Sequence, residues 1–303
     1  MGSMPSIPVP PALDAARTRG PAWASWLDTL PRRAADLLAE WGLRLDGETT
    51  HGQCSLVLPV RDEAGTSAVL KIGFPDEESE HEHLALQHWG GRAAVTLLKA
   101  DPHRRALLLE RLRPEDLSAQ WDLDACRVVA ESYALLHRPA PPQLRSLADL
   151  VARWRDELAA TPRDAGIPPR LVDQARSIAA GLVEDAATTG TLVHTDLHYG
   201  NVLAADRRPW LVIDPKPLSG DPHCELAPML WNRWREVEEG AGALRWTMRE
   251  RFDVLVDTAG LDEDRARAWA VLRLVMYARW SAAQRDADEV TAMLRIIKAV
   301  GEA

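Results

Sequence analysis

The spacing of apolar residues changes several times in the first third of the chain. A proline-rich start, up to about residue 20, predicts an extended arm, and helical spacing over residues 23–41 then predicts one or two helices. Four runs typical of β-strands follow, in two pairs separated by turn residues: 54–60 with 66–72, and 95–98 with 106–110. Residues 76–89, between the pairs, have a helical pattern. This order predicts two hairpins in an antiparallel sheet that carries one helix.

The chain after Pro114 has a mainly helical pattern. Helical stripes of apolar residues occur at 122–137, 146–160, 170–187, 224–239, 242–259, 263–281 and 287–301. Short apolar segments separated by polar loops interrupt them between residues 192 and 213. The pattern therefore predicts an α+β protein of two lobes, a small N-lobe with an antiparallel sheet at residues 1–112 and a larger, mainly helical C-lobe at 113–303.

Composition and charge narrow the function classes. The 303 residues include 36 Lys and Arg against 45 Asp and Glu, so the net charge is −9, and no basic run suggests nucleic-acid binding. A small cationic ligand suits such a chain better. No apolar run approaches the ~18 residues that span a bilayer, and the start lacks a signal peptide's apolar core. The three cysteines have neither disulfide-framework nor zinc-site spacing. We therefore expect a cytoplasmic protein that does not bind membranes.

The polar interruption in the helical half carries the candidate chemistry. It reads HTDLHYGN from His194 to Asn201, between two apolar segments, and Asp214 ends the next apolar segment. Phosphoryl transfer needs a group that accepts the nucleophile's proton and oxygen ligands for the magnesium on the nucleotide phosphates. Asp196, Asn201 and Asp214 supply that set, and Lys71, on a predicted strand, is a cation suited to nucleotide phosphates. The alternative is that these residues only form turns.

These residues, together with Gly220-Asp221-Pro222 and Glu225-Leu226, resemble the sequence motifs of the aminoglycoside/hydroxyurea phosphotransferase family. The resemblance runs from about residue 20 to the C-terminus and implies a protein-kinase-like fold. It makes Asp196 the catalytic base, Asn201 and Asp214 the Mg²⁺ ligands, and Lys71 the lysine that binds phosphate.

The resemblance also implies residues that bind the nucleotide, ATP or GTP. Ser55 would donate to phosphate from a loop that lacks the Gly-x-Gly-x-x-Gly fingerprint, and the backbone from Glu110 to Leu112 would bind the adenine edge. The partner of Lys71 is expected to be Glu82, with Glu78, one helical turn earlier, as the alternative.

The expected acceptor is a cationic antibiotic, streptomycin at its 6-position, and the expected activity confers resistance to it. The candidate substrate residues lie in and after the catalytic stretch: Asp196, His198, Asp221, Glu225, Trp231 and Asn232. Carboxylates pair well with guanidinium groups, although Asp221 could instead cap a helix. The alternatives are a kinase for hydroxyurea or a sugar-like metabolite, and a nucleotide-binding protein without transfer activity. We expect a monomer.

Overall fold

The structure is a computed structural model that describes residues 7–237 and 243–301. Contacts between Cα atoms divide the chain into two compact units, Met1–Arg113 and Pro114–Ala303. Each unit has its own elements and its own part of the candidate chemistry.

The first unit is built on one antiparallel sheet. Its strands are β1 (Arg44–Leu45), β2 (Thr50–His51), β3 (Ser55–Arg61), β4 (Ser67–Gly73), β5 (Leu97–Asp101) and β6 (Ala106–Glu110). Their spatial order is β1-β3-β4-β6-β5, and β2 also pairs with β3. Both predicted hairpins are confirmed: β3 pairs with β4 and β5 pairs with β6.

The core of the first unit lies between the sheet and the long helix α2 (Pro21–Glu40), which follows the short helix α1 (Pro11–Asp14). Alternate residues of β3 and β4 are buried, as a strand with one apolar face requires. The prediction of an extended arm before residue 20 is wrong. Ile7 and Leu13 are buried in the core. Pro11 and Pro21 stand at the first positions of α1 and α2, where a helix accepts proline, and α2 also contains Pro31 in its interior.

The helix predicted at 76–89 begins later than expected. α3 spans Glu82–Trp89. The Asp76 carboxylate accepts hydrogen bonds from the backbone N–H and the hydroxyl of Ser79, at 2.7 and 2.8 Å, and this local turn replaces the first helical turn. Glu78 therefore lies outside the helix, and the predicted shared face with Glu82 does not exist.

The second unit is mainly helical. Its helices are α4 (Asp122–Leu136), α5 (Leu147–Ala159), α6 (Pro169–Glu184), α7 (Ala227–Trp231), α8 (Trp234–Val237), α9 (Ala243–Ala259), α10 (Glu263–Ala283) and α11 (Ala287–Gly301). Five short strands supplement them: β7 (Arg138–Pro139), β8 (Thr191–Val193), β9 (Val202–Ala204), β10 (Trp210–Val212) and β11 (Leu218–Gly220). β9 and β10 form a hairpin, and β8 lies between β11 and β7. Nowhere in the described ranges is a helix both long and apolar enough to span a bilayer.

The helix predicted over 224–239 is not continuous. A 3₁₀ turn at Pro222–Leu226 leads into α7, and the helix is then interrupted at Asn232 and Arg233, before α8. Arg233 has φ of +58°, a left-handed conformation that an α-helix cannot contain. The side chain of Asn232 donates to the Pro228 carbonyl at 2.9 Å and so caps α7. Residues 238 and 239 of the predicted helix lie outside the described residues.

We expect Gly220→Ala to destabilise the second unit by about 1–3 kcal/mol. A Cβ there would lie 2.6 Å from Val193 Cγ2 and 3.0 Å from Leu147 Cδ2, so β8 and α5 would have to move apart. Urea unfolding measures the effect. Gly181→Ala, in α6 where a Cβ meets nothing within 4 Å, is the matched control and should be neutral or stabilising. Equal stability of the two variants would contradict the close approach at Gly220.

Candidate active site

The first unit contributes a buried ion pair. β4 places Lys71 opposite Val57 on one side and Leu107 on the other, in the middle of the sheet. The Lys71 Nζ donates to both carboxylate oxygens of Glu82, at 2.7 and 2.8 Å. The two side chains are only 12% and 6% exposed, so the pairing holds the ammonium in one place. The structure thus pairs Lys71 with Glu82, on the first turn of α3.

The other residues predicted to bind nucleotide lie around the same sheet. Ser55 is buried at the start of β3, and its Oγ would lie 2.8 Å from a Cβ on Gly52, so the turn before β3 needs glycine there. Glu110 ends β6, where its carboxylate accepts from the backbone N–H of Thr96 at 2.9 Å. Leu112 follows in irregular backbone, half-buried. Glu110 thereby anchors the first residue of the segment, Glu110 to Leu112, that is predicted to meet the base.

In the second unit, residues 194–201 connect β8 to β9 and include two of the predicted catalytic residues, Asp196 and Asn201. We call this segment the 194–201 loop. Its second residue, Thr195, has φ of +64°, which is unusual for a β-branched residue and costs about 1–3 kcal/mol. Every polar group of Thr195 has a partner. Its N–H donates to Glu225 Oε2 at 3.1 Å, its hydroxyl donates to the Lys216 carbonyl at 2.7 Å, and its carbonyl accepts from Arg273 Nη2 at 2.8 Å. These contacts hold the strained residue immediately before Asp196.

Glu225 supports this loop from within the core. It is 0% exposed, and its carboxylate accepts the backbone N–H groups of both His194 and Thr195. Burial favours the neutral acid, but the His137 ring, 3.6 Å away, and the N–H of His194 hold the pKa of Glu225 below its usual value. The structure therefore corrects the prediction that Glu225 contacts substrate: a ligand cannot reach this carboxylate, which positions the loop instead.

Asp221 also differs from its prediction. It is 1% exposed and accepts from the ring and N–H of His223, from Arg265 and from Trp269, with side-chain distances of 2.6 Å. Burial opposes ionisation, but the hydrogen bonds from His223 and Trp269 keep the pKa of Asp221 below its usual value. Asp221 caps the 3₁₀ turn at Pro222–Leu226, as the alternative interpretation had it, and a cationic substrate cannot reach it.

His194 links the loop to the next strand. Its Nε2 lies 2.9 Å from the Ile213 carbonyl, and its Nδ1 lies 3.2 Å from the backbone N–H of Asp196. Burial lowers the pKa of His194, so the ring is neutral at pH 7. These partners fix the tautomer: Nε2 carries the proton and donates to Ile213, while Nδ1 accepts from Asp196. The neutral ring therefore positions Asp196 and Ile213, the neighbour of Asp214.

Asp196, Asn201 and Asp214 offer oxygen atoms of the kind that Mg²⁺ prefers. The Asn201 Nδ2 donates to the Asp196 carbonyl at 2.8 Å, so the amide oxygen is the group of this side chain that could bind a metal ion. Asp214 has φ of +55°, and its carboxylate lies 3.3 Å from Lys216 Nζ. Within the described ranges, the Asp196 carboxylate accepts no hydrogen bond. The oxygen atoms of Asn201 and Asp214 are therefore suited to bind Mg²⁺, and the Asp196 carboxylate is available to accept a proton.

The remaining predicted substrate residues lie at the loop and at the end of α7. His198 Nδ1 accepts from the backbone N–H of Gly200 at 3.1 Å and so caps the turn that leads to Asn201. Trp231 is half-buried and stacks on Tyr277, with ring centroids 4.9 Å apart. Asn232 uses its side-chain nitrogen on the Pro228 carbonyl.

Sequence reasoning missed two residues that join these parts. Arg273, from α10, donates to the carbonyls of Thr195 and Cys224, each at 2.8 Å, and its guanidinium lies 4.9 Å from the Trp231 ring centroid. Tyr277, one turn later, completes the stack with Trp231. The one available signal for Arg273 is a single charge inside the apolar run Ala270–Met276, since a charge there must find partners in the core.

Comparisons with known proteins show which family and which proteins this chain is similar to. Residues 40–286 match the family described as aminoglycoside/hydroxyurea antibiotic resistance kinases. The chain is 43% identical to hydroxyurea phosphotransferase from Kitasatospora aureofaciens, covering 92% of this chain and 81% of that protein. It is 40% identical to streptomycin 6-kinase from Streptomyces glaucescens, covering 90% of each.

The fold comparison gives the same architecture at low identity. A spectinomycin phosphotransferase solved with ADP and spectinomycin has a TM-score of 0.57 and 14% identity, covering 89% of this chain and 97% of that one. The predicted protein-kinase-like fold is thereby confirmed.

We expect Glu225→Gln to destabilise the second unit by about 2 kcal/mol or more, because the amide offers one acceptor oxygen where two backbone N–H groups are buried. Chemical denaturation measures this. Glu157→Gln removes a carboxylate that accepts from Arg279 at 2.8 Å but is 40% exposed, and it should cost less than about 1 kcal/mol. If both variants cost the same, the loop does not depend on Glu225.

Proposed function

Because the chain belongs to the aminoglycoside/hydroxyurea antibiotic resistance kinase family, we propose that it transfers the γ-phosphoryl group of ATP or GTP to the 6-hydroxyl of streptomycin. The observation that carries this proposal is the likeness to streptomycin 6-kinase along nine-tenths of the chain. The chemistry of the 194–201 loop and of Asp214 supports it, since the Asp196 carboxylate, which accepts no hydrogen bond from the residues that the structure describes, and the oxygen atoms of Asn201 and Asp214 suit phosphoryl transfer.

The proposed mechanism assigns one task to each group. Asp196 accepts a hydrogen bond from the acceptor hydroxyl, orients it, and takes its proton as the phosphoryl group transfers. Asn201 and Asp214 hold Mg²⁺, which when bound neutralises charge on the phosphate oxygens. Lys71 binds phosphate oxygens, and Glu82 holds the Lys71 ammonium group in position through its two hydrogen bonds. Catalysis then depends on positioning and charge neutralisation, with no covalent phosphoenzyme.

Residues of the first unit are proposed to bind the rest of the nucleotide. Ser55, at the start of β3, would donate to phosphate, and the backbone from Glu110 to Leu112 would contact the base. The turn at Gly52 supports the first assignment, because the missing Cβ leaves room beside the Ser55 hydroxyl. The side chain of Glu110 is committed to Thr96, so any contact with a base would come from its backbone.

The acceptor is proposed to lie against Trp231, Asn232 and Tyr277, with His198 nearby in the 194–201 loop. Burial raises the pKa of the Tyr277 hydroxyl, and so do the charges of Glu289, Asp286 and Asp196. Carboxylates therefore act on this region, with Arg235 opposing them, and the aromatic stack is a surface of the kind on which guanidinium groups bind, as Arg273 does at 4.9 Å from the Trp231 ring centroid. Both features favour streptomycin, which carries two guanidinium groups, as the acceptor.

Hydroxyurea is the second candidate acceptor. The 43% identity with a hydroxyurea phosphotransferase favours it, although hydroxyurea is uncharged and would gain little from the negative charges near Tyr277. Mass spectrometry of wild-type protein incubated with Mg²⁺, ATP or GTP, and each acceptor separates the two by an adduct of about 80 Da. Streptomycin phosphorylation is the expected result. Phosphorylation of hydroxyurea alone would replace the proposed acceptor, and no transfer to either would contradict the proposal.

We expect Asp196→Ala to lower the kcat of streptomycin phosphorylation by about 10²–10⁴-fold, because the acceptor hydroxyl loses its base. Nucleotide affinity, measured by titration calorimetry, should change by less than about threefold, since Asp196 faces the acceptor and not the nucleotide. Asp264→Ala, an exposed carboxylate at the start of α10, controls for the loss of charge. Wild-type turnover by Asp196→Ala would refute the assigned role.

We expect Trp231→Leu to raise the KM for streptomycin by about tenfold with little change in kcat, because the variant loses the aromatic surface and keeps the base and metal ligands. Steady-state kinetics with varied streptomycin measure this. Trp246→Leu, whose tryptophan in α9 is 64% exposed, should behave as wild type. An unchanged KM in Trp231→Leu would place the acceptor elsewhere.

A further inference from the structure

The 194–201 loop is tied to the core at a second point, Tyr199. Its ring is buried between the two predicted functional positions His198 and Asn201, and it belongs to the short turn that ends at Asn201. The Tyr199 hydroxyl donates to Asp122 Oδ1 at 2.5 Å. Asp122 is the first residue of α4, where a carboxylate also interacts favourably with the helix dipole. Tyr199 thereby anchors the metal-ligand end of the loop to α4.

The second oxygen of Asp122 binds a buried arginine. Arg251, in α9, is 1% exposed, and its Nε donates to Asp122 Oδ2 at 2.7 Å. A buried guanidinium is tolerated only when it is paired and its donors are used. The Nη1 of Arg251 donates to the carbonyls of Asn232, at 2.8 Å, and Met229, at 3.2 Å. Arg251 therefore holds the carbonyls at the break between α7 and α8.

The same break also contacts Tyr199 directly. The guanidinium of Arg233, the residue with left-handed backbone, lies 4.8 Å from the Tyr199 ring centroid, and that of Arg251 lies 5.7 Å from it. Glu236 pairs with Arg233 at 2.6 and 2.9 Å, which fixes the guanidinium over the ring. The Tyr199 side chain thus contacts both the Asp122–Arg251 ion pair and the segment that follows Trp231.

We infer that Asp122, Arg251 and Tyr199 are positioning residues that make metal binding at Asn201 and acceptor binding at the α7–α8 break depend on one ion pair, between Asp122 and the buried Arg251. The two oxygens of Asp122 serve different segments: one holds the loop through Tyr199, and the other holds the break through Arg251. A shift of Asp122 therefore moves both. The inference rests on the proposed function, because the metal and acceptor roles are assigned there.

The test uses Tyr199→Phe and Asp122→Asn in the full chain. Tyr199→Phe keeps the ring and its cation contacts and removes only the hydroxyl, whereas Asp122→Asn keeps the shape and removes the charge. Glu157→Gln is the matched control, because its carboxylate also accepts from an arginine, Arg279, and lies outside the proposed machinery. Should Asp122→Asn fail to fold, Tyr199→Phe decides.

Two constants are measured for each variant. The first is the Mg²⁺ concentration that gives half of the thermal stabilisation by ATP, which requires no turnover. The second is the KM for streptomycin at saturating Mg²⁺. We expect both to rise by about threefold to tenfold in Tyr199→Phe, because residues that support a metal ligand affect metal affinity on this scale. Glu157→Gln should match wild type in both.

A purely structural role predicts a different result. A less stable protein would have a lower melting temperature and a lower kcat from a smaller active fraction, with both half-saturation constants unchanged. An unchanged value of either constant in Tyr199→Phe overturns the inference. Failure of the proposed function would appear instead in the wild-type protein, as an absence of streptomycin phosphorylation.

Discussion

The second unit depends on a backbone that is held in an unfavourable conformation by a buried carboxylate. Thr195 has positive φ just before Asp196, and this conformation persists because Glu225, Lys216 and Arg273 bind its N–H, hydroxyl and carbonyl. The same carboxylate of Glu225 also binds the N–H of His194. A strained turn of this kind can keep a carboxylate in place before any ligand arrives, which is the condition for catalysis by positioning.

Acidic residues in this protein divide into two kinds. Glu225 and Asp221 are buried, and their oxygens are used by backbone N–H groups, an arginine or ring donors. Asp196, by contrast, keeps its carboxylate free of hydrogen bonds within the described residues. Burial is what separates the two kinds, because a buried carboxylate must be satisfied by the protein itself, whereas a partly exposed one can bind a ligand.

Much of the architecture could be predicted, because local patterns report it directly. The β3–β4 and β5–β6 hairpins follow from alternation and turn residues, and most helices of the second unit follow from apolar stripes. The errors lie where a side chain overrides the pattern. Asp76 replaces the first turn of the helix expected at 76–89, and the contacts of Asn232 and Arg251 end α7 where the apolar stripe continues.

Residue types and their order along the chain are enough to identify the candidate chemistry, because Asp196, Asn201, Asp214 and Lys71 supply the groups that phosphoryl transfer requires. Which carboxylates a ligand can reach depends on the fold. Glu225 and Asp221 have the same functional group as Asp196 and lie within 30 residues of it, yet they are enclosed by residues far away in sequence, such as His137 and Trp269. Burial is a property of such distant contacts, and no local pattern around either residue encodes it.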